Sequence, residues 1–319
     1  MKAIVVRRFG EPEVMKLEEV PTPEVGASQV LVRIKAAGVN PVDTYIRSGI
    51  YPVKPDLPYT PGKDGAGVVE KVGEKVTKVK VGDRVFLSGS LTGTYAEMAL
   101  CEEWQVHHLP ERISFEQGAG IFIPYATAYR ALFQKAKAKS GETVLIHGAS
   151  GGVGIAAIQW GKKAGLKILG TAGSEEGKKL VAEQGADFVF DHSKENYLQE
   201  ILEVADEGVP IILEMLANVN LMKDLDILAK HGRIVVIGSR GSLEFNPRAT
   251  MTKDASIFGM SLFNASEVDM QEILNEIEKG LSEGFLNPVV GTAFPLEEAV
   301  EAHYQVIMKK AFGKIVLLP

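Results

Sequence analysis

The sequence predicts an α/β chain with two parts: a doubly wound parallel sheet and a β-rich, antiparallel domain. Three observations carry this. Six apolar, β-branched runs alternate with helical patterns between residues 143 and 262, as a parallel sheet covered on both faces requires. A glycine-rich turn stands between the first of those strands and its helix. Before about residue 120 the pattern differs: short runs such as VLVRIKAAGV (30–39) alternate apolar and polar positions and are cut by Gly and Pro.

The chain has 319 residues, 45% of them hydrophobic and 24% charged, which is enough for two cores. A net charge of −6 argues against a surface dominated by phosphate binding, which needs clustered Lys and Arg in excess. Lys135, Lys137 and Lys139 read as a solvated helix end, where cations suit the dipole. Cys101 is the only cysteine, so an intrachain disulfide and a multi-thiolate metal centre are both excluded, and a reducing compartment fits. The apolar stretch in MKAIVVRRFG is too short for a signal segment, and no window approaches 18 uninterrupted apolar residues. The expected location is cytoplasmic.

In order along the chain, GAGVVEKVG and DRVFL continue the antiparallel pattern. SFEQ then offers a capping box, Ser114 with Gln117, ahead of a helix through TAYRALFQKAKAK. The wound series follows: TVLIH, a helix over 152–164, LKILGTA, a helix over 175–184, DFVF, a helix over 194–205, VPIILEML, a helix over 220–230, RIVVIGS and ASIFGMSL. The tail gives an acidic amphipathic helix (SEVDMQEILNEIEKGLSEG), a strand near NPVVGTAF, a helix in PLEEAVEAHYQVIMKK and a closing strand, GKIVLL. A lone closing strand after the wound sheet implies that the chain returns to the first domain.

VLIHGASGGVG places Ala149, Gly151 and Gly154 in an A-x-G-x-x-G frame at the first strand-to-helix turn. Small residues are needed there for a tight turn, for backbone N–H groups close to a pyrophosphate and for helix–strand packing, which points to a Rossmann dinucleotide site. The same stretch, Gly148 to Gly152, also fits the G-x-S-x-G elbow of esterases, with Ser150 as nucleophile. That elbow normally follows several earlier strands of its sheet, whereas here it opens the series. Nineteen residues after Gly154, where NAD-binding proteins place a carboxylate on the ribose hydroxyls, stands Gly173. Its lack of a carboxylate leaves room for a 2′-phosphate, for which Ser174 supplies a hydroxyl, Lys178 a cation and His192 a further donor. Glu175 and Glu176 oppose an anion there unless they point to solvent, as first-turn helix residues do.

NPVDTYIRSG, PYTPGKDGAGVVEKVG, IPYATAYRAL, HGASGGVG, ILGTAG, EMLANVNL, VIGSRGSLEFNPRATM and the ending GKIVLL together resemble the zeta-crystallin group of NADPH:quinone oxidoreductases, in the medium-chain dehydrogenase/reductase superfamily. The resemblance spans nearly the whole chain. It implies a GroES-like catalytic domain over 1–121 plus 263–319, a Rossmann NADP-binding domain over 122–262 and an active site in the cleft. By matching motifs, Tyr45 would lie at the nicotinamide as the catalytic residue, and Ser150, Gly151, Gly152 and Val153 at the pyrophosphate. Gly173, Ser174 and His192 would surround the 2′-phosphorylated ribose, while Asn220, Gly238, Ser239, Arg240, Met260, Ser261 and Leu262 would line the rest of the cofactor. Alcohol dehydrogenases of the superfamily bind zinc, but the positions matching their catalytic ligands hold Asn40 and Lys63-Asp64, and a lysine ammonium opposes Zn²⁺. The implied reaction is therefore NADPH-dependent, zinc-independent reduction of a quinone, or alternatively of the double bond of an alkenal or enone. Homotetramers, with dimers as the alternative, and weak binding of AU-rich RNA or a lens structural role as a second activity complete what the resemblance implies.

Overall fold

The structure, a computed structural model, describes residues 1–309 and 312–319. In chain order its main elements are β1 (Lys2–Val6), β2 (Met15–Glu19), β3 (Gln29–Val39), α1 (Pro41–Ser48), β4 (Asp64–Val72), β5 (Arg84–Ser88), β6 (Met98–Glu102), β7 (Val106–His108), α2 (Phe115–Gly118) and α3 (Phe122–Tyr129). There follow β8 (Thr143–Ile146), α4 (Gly152–Lys163), β9 (Lys167–Ala172), α5 (Glu175–Glu183), β10 (Phe188–Asp191), α6 (Tyr197–Val204), β11 (Val209–Glu214), α7 (Ala217–Ile227), β12 (Leu228–Val236), α8 (Arg248–Met251) and β13 (Ser256–Gly259). The tail comprises α9 (Glu267–Glu283), β14 (Val290–Pro295), α10 (Ala299–Met308) and β15 (Lys314–Leu318).

These elements form two compact units, the first from Met1–Ile123 with Asn287–Lys309 and Gly313–Pro319, the second from Pro124–Leu286. In the first, β3 to β7 and the tail strands make one sheet in the order β14-β15-β3-β4-β5-β7, with β6 also on β3. The closing strand pairs antiparallel with β3, so the chain does return. Alternating inward residues of β3, β5 and β15, among them Val30, Val32, Val85, Leu87 and Leu317, fill its core.

The second unit has the strand order β10-β9-β8-β11-β12-β13, with all pairs parallel. In order of appearance this is 3-2-1-4-5-6, whose direction reverses between β8 and β11, and the carboxyl ends at that reversal form the crevice where such sheets bind ligands. Sequence and structure differ at several element bounds, such as the helix expected over 194–205, which spans Tyr197–Val204, and two of the differences have a visible cause. The helix predicted through TAYRALFQKAKAK is α over Phe122–Tyr129, then widens into a π turn over Arg130–Lys135. It stops before Lys137, whose φ of 51° lies in the left-handed region. The helix expected over 220–230 instead spans Ala217–Ile227, because β12 takes up pairing at once at Leu228 and then bulges, with Val209 opposite Leu228 but Ile211 opposite Arg233. The capping box is as predicted: Gln117 N donates to Ser114 Oγ and Ser114 N to Gln117 Oε1. No helix among the described residues is long and apolar enough to cross a membrane.

Candidate functional site

In the second unit the predicted positions gather at the carboxyl ends of the parallel strands. Gly151 caps α4, whose first-turn N–H groups lack intrahelical acceptors and so face any anion placed there. The close approach is real: a Cβ on Gly154 would meet the Ala149 backbone at 2.5 Å. Ser150 is buried, whereas an esterase nucleophile must stand exposed on its elbow, so the hydrolase reading loses its site. After β9, Ser174 caps α5 by accepting from Gly177 N at 3.1 Å. Beside it, a Cβ on Gly173 would stand 2.7 Å from His192 Nε2, and His192 Nδ1 lies 3.3 Å from Thr171 Oγ1. The carboxylate absent from Gly173 is thus replaced by an imidazole that needs the glycine's empty volume. Lys178 is held in an ion pair with Glu175 at 2.6 Å and by Asp191 at 3.5 Å. The Asp191 carboxyl is drawn down to about 2, first by the Ser193 hydroxyl and N–H and then by Lys178.

The loops after β11, β12 and β13 are tied together. Glu214 Oε1 accepts from Leu216 N and from Asn220 Nδ2, the latter at 3.2 Å. The Glu214 carbonyl accepts from Ile237 N and Gly238 N, and the Gly238 carbonyl from Ala217 N. Asn218 Oδ1 accepts from Arg240 N at 2.9 Å and Ser239 Oγ at 3.4 Å. Met260 N donates to the Val236 carbonyl, Ser261 precedes the short helical turn Leu262–Asn264, and Leu262 is buried.

In the first unit, Tyr45 sits half-buried on α1. This short helix is fixed at both ends: Asn40 N donates to Asp43 Oδ2 at 2.9 Å, Pro41 opens it, and Gly49 closes it at φ 78°. Asn40 in turn belongs to a buried cluster. Lys314 Nζ, from β15, donates to Asn40 Oδ1 at 2.5 Å and to Asp64 Oδ2 at 2.7 Å. Asn40 Nδ2 donates to Asp64 Oδ2 at 3.0 Å, and Asp64 Oδ1 accepts from Ile123 N at 2.8 Å. The Asp43 carboxyl is pushed up to about 6 by burial, although the Asn40 N–H and the Lys314 ammonium pull the other way. The cation facing the two zinc-matching positions is thus Lys314, which the sequence did not single out. A carboxamide and a carboxylate already bonded to an ammonium do not form a Zn²⁺ donor set. Cys101 is buried, which pushes its thiol up to about 12 and leaves it inert.

A second buried cluster lies in the nucleotide unit. His147 Nε2 is 2.8 Å from Asp224 Oδ1 and 3.6 Å from Glu214 Oε2, with both carboxylates fully buried. Among the described residues these are the one set of three such side chains whose donor atoms all lie within 4.8 Å. Three donors fall one short of a closed tetrahedral metal site.

A 3-2-1-4-5-6 sheet with a glycine loop at its reversal, in one chain with a split, mainly antiparallel domain, defines a medium-chain dehydrogenase/reductase. Residues 26–111 match the alcohol dehydrogenase GroES-like domain and residues 152–279 the zinc-binding dehydrogenase family. Human quinone oxidoreductase is 52% identical over all of this chain and 98% of its own length. Escherichia coli quinone oxidoreductase, solved in complex with NADPH, superposes with a TM-score of 0.89 at 30% identity, covering both chains fully. An NAD-dependent alcohol dehydrogenase superposes with 0.92, also at 30% identity and with both chains fully covered, so backbone shape alone does not separate the two activities. Sequence does: the chain belongs to the quinone oxidoreductase family.

Proposed function

We propose that this protein is an NADPH-dependent quinone reductase that works without zinc. The observation that carries the reading is the Lys314 ammonium bonded to both Asn40 and Asp64. With no Lewis acid there to polarise an alcohol oxygen, the acceptor must already be electrophilic, as a quinone is. The nicotinamide supplies the hydride when bound. The chain's own part is orientation. Ser150, Gly151, Gly152 and Val153 hold the pyrophosphate at the start of α4. Ser174 and His192 take the 2′-phosphate on the side left open by Gly173. Lys178, already paired with two carboxylates, adds charge rather than a direct contact. Asn220, Gly238, Ser239, Arg240, Met260, Ser261 and Leu262 line the rest, and Tyr45 keeps nicotinamide and acceptor in register.

NADPH-oxidation assays over ortho-quinones, para-quinones, alkenals and enones, paired with elemental analysis, test this. Quinones should be reduced fastest by metal-free protein. Faster turnover of alkenals or enones would make it a double-bond reductase, and stoichiometric zinc with activity lost on chelation would overturn the reading. We further assign the protein to the cytoplasm and to a homotetramer, with a dimer as the alternative that sedimentation would distinguish. RNA binding stays outside the proposal, since a chain of net charge −6 gives no electrostatic reason for it.

A further inference from the structure

The buried cluster beneath the β11 loop has one unsettled account. Glu214 Oε2 and Asp224 Oδ2 are both buried and have no hydrogen-bond partner, although their residues are fully enclosed. Two acceptor-only oxygens cannot bond each other, and leaving either alone costs its full desolvation. A single proton held between the two carboxyl groups would satisfy both at once.

We propose that Glu214 and Asp224 share a proton between Oε2 and Oδ2, and that this proton makes Glu214 the positioning residue for the loops that carry Asn220 and Gly238. The other oxygen of each carboxyl is already committed: Asp224 Oδ1 to His147 Nε2, Glu214 Oε1 to Leu216 N and Asn220 Nδ2. An imidazolium at His147 with one proton on the carboxyl pair gives a group of zero net charge, the one arrangement that burial tolerates well. Every element packed here agrees. From α7 come Asp224 and, farther out, Lys223, while α6 brings the Tyr197 phenol, itself pushed up to about 12 by burial and by the two carboxylates. The end of β8 brings His147, whose imidazole is disfavoured as a cation by burial but raised overall by Asp224 and Glu214. From the loop after β12 come the Ile237 and Gly238 N–H groups, which donate to the Glu214 carbonyl. Burial, opposed by the His147 charge and reinforced by the nearby Asp224 carboxylate, pushes the Glu214 carboxyl up to about 7.

The sign follows from linkage. A carboxyl that titrates near 7 in the folded chain and near 4.3 unfolded stabilises the fold when protonated, and that contribution is lost as pH rises from roughly 5 through 7. Above 7, the two negative carboxylates repel each other, and that repulsion displaces the Glu214 side chain from its place under Leu216 N and Asn220 Nδ2, even though charge by itself favours both bonds. Because the residues it positions are those assigned to the cofactor, the binding half of this inference rests on the proposed function; the proton itself does not.

Two measurements therefore separate the two. Without cofactor, the melting temperature of the parent should fall between pH 5 and pH 7 and level off above that, and Glu214→Gln, whose amide can donate to Asp224, should flatten that slope. With cofactor, the NADPH Kd should rise about tenfold or more between pH 7 and pH 9, a range above the 2′-phosphate's own titration near 6, and by less than about twofold in Glu214→Gln. Should Glu214→Gln fail to fold, Asp224→Asn supplies the donor from the other side and is read the same way. An unchanged melting slope in the variant, or a stoichiometric divalent metal in the parent that the variant lacks, overturns the shared proton. A flattened slope with no NADPH binding in the parent at any pH keeps the proton and overturns the function.

Discussion

The two units bury charge in opposite ways. In the first, Asp64 meets a built-in cation: the ammonium of Lys314 satisfies it and Asn40 together, and Ile123 N takes its other oxygen. In the second, Glu214 and Asp224 face only an imidazole, and one oxygen of each is left over. Both clusters support loops or helices assigned to function: the first holds Asn40 at the start of α1 and so Tyr45, the second holds the loops after β11 and β12. The lesson is that a fixed ammonium satisfies Asp64 without anything from solvent, whereas two carboxyls without one need a proton.

The sharpest way to break this contrast is to remove the ammonium. Lys314→Met leaves a fully buried carboxylate uncompensated, which should cost about 3–5 kcal/mol of stability by chemical denaturation. Adding Asp64→Asn removes the stranded charge while its amide oxygen can still accept from Ile123 N, so the double variant should recover at least about half of that loss. A single-variant loss below about 1 kcal/mol would mean that Asp64 is compensated by something other than Lys314.

This pair also marks where sequence reading stops. The wound series is legible because each strand and helix announces itself within about ten residues, through β-branched runs, caps and glycine turns. Gly151, Gly154 and Gly173 are legible for the same reason. Lys314 is not: it lies 274 residues from Asn40 and 250 from Asp64, and within GKIVLL it reads as an ordinary solvated strand start. His147, Glu214 and Asp224 come from three separate strand and helix ends, and only the sheet order brings them together. The signal that could have found them is a titratable residue at the last position of an otherwise apolar parallel strand, as in TVLIH and VPIILE. The π turn at Arg130 has no local signature; there the guanidinium bonds Gln134, Asp269 and the Asn264 carbonyl, a tertiary demand that propensity does not record.

An effect of intermediate size is expected at the adenosine end of the second unit. NADPH should be preferred over NADH by roughly tenfold or more, since one charge-assisted hydrogen bond to the extra phosphate is worth about 1.5–3 kcal/mol. Gly173→Asp should reverse the preference, but the closeness of His192 to any Cβ at this position means that two causes would act together. Gly173→Ala separates them: it displaces the imidazole without adding charge, so it should weaken NADPH while leaving NADH nearly unchanged. The aspartate then adds repulsion on top. Equal kcat/KM for the two cofactors in the parent would refute the reading of Gly173 as a site for a 2′-phosphate.

The smallest effect is expected at Tyr45, and it probes what the first cluster is for. A helix pinned by the Asn40–Asp43 hydrogen bond and closed at Gly49 presents its side chains in fixed directions, which suits a residue whose task is alignment. The Tyr45 carbonyl also accepts from Ser48 Oγ, Ile50 N and Tyr51 N, so the turn after it is held as well. A ring held in this way can align nicotinamide and acceptor without giving up a proton. Tyr45→Phe should then lose less than about tenfold in kcat, whereas a general acid would lose roughly 10²-fold or more. Tyr45→Ala should lose more than Tyr45→Phe in either case, because it deletes the ring itself. A loss of roughly 10²-fold or more in kcat for Tyr45→Phe would favour proton donation, and two variants that match the parent in quinone reduction and NADPH affinity would remove Tyr45 from the site, leaving the first cluster with a purely structural task.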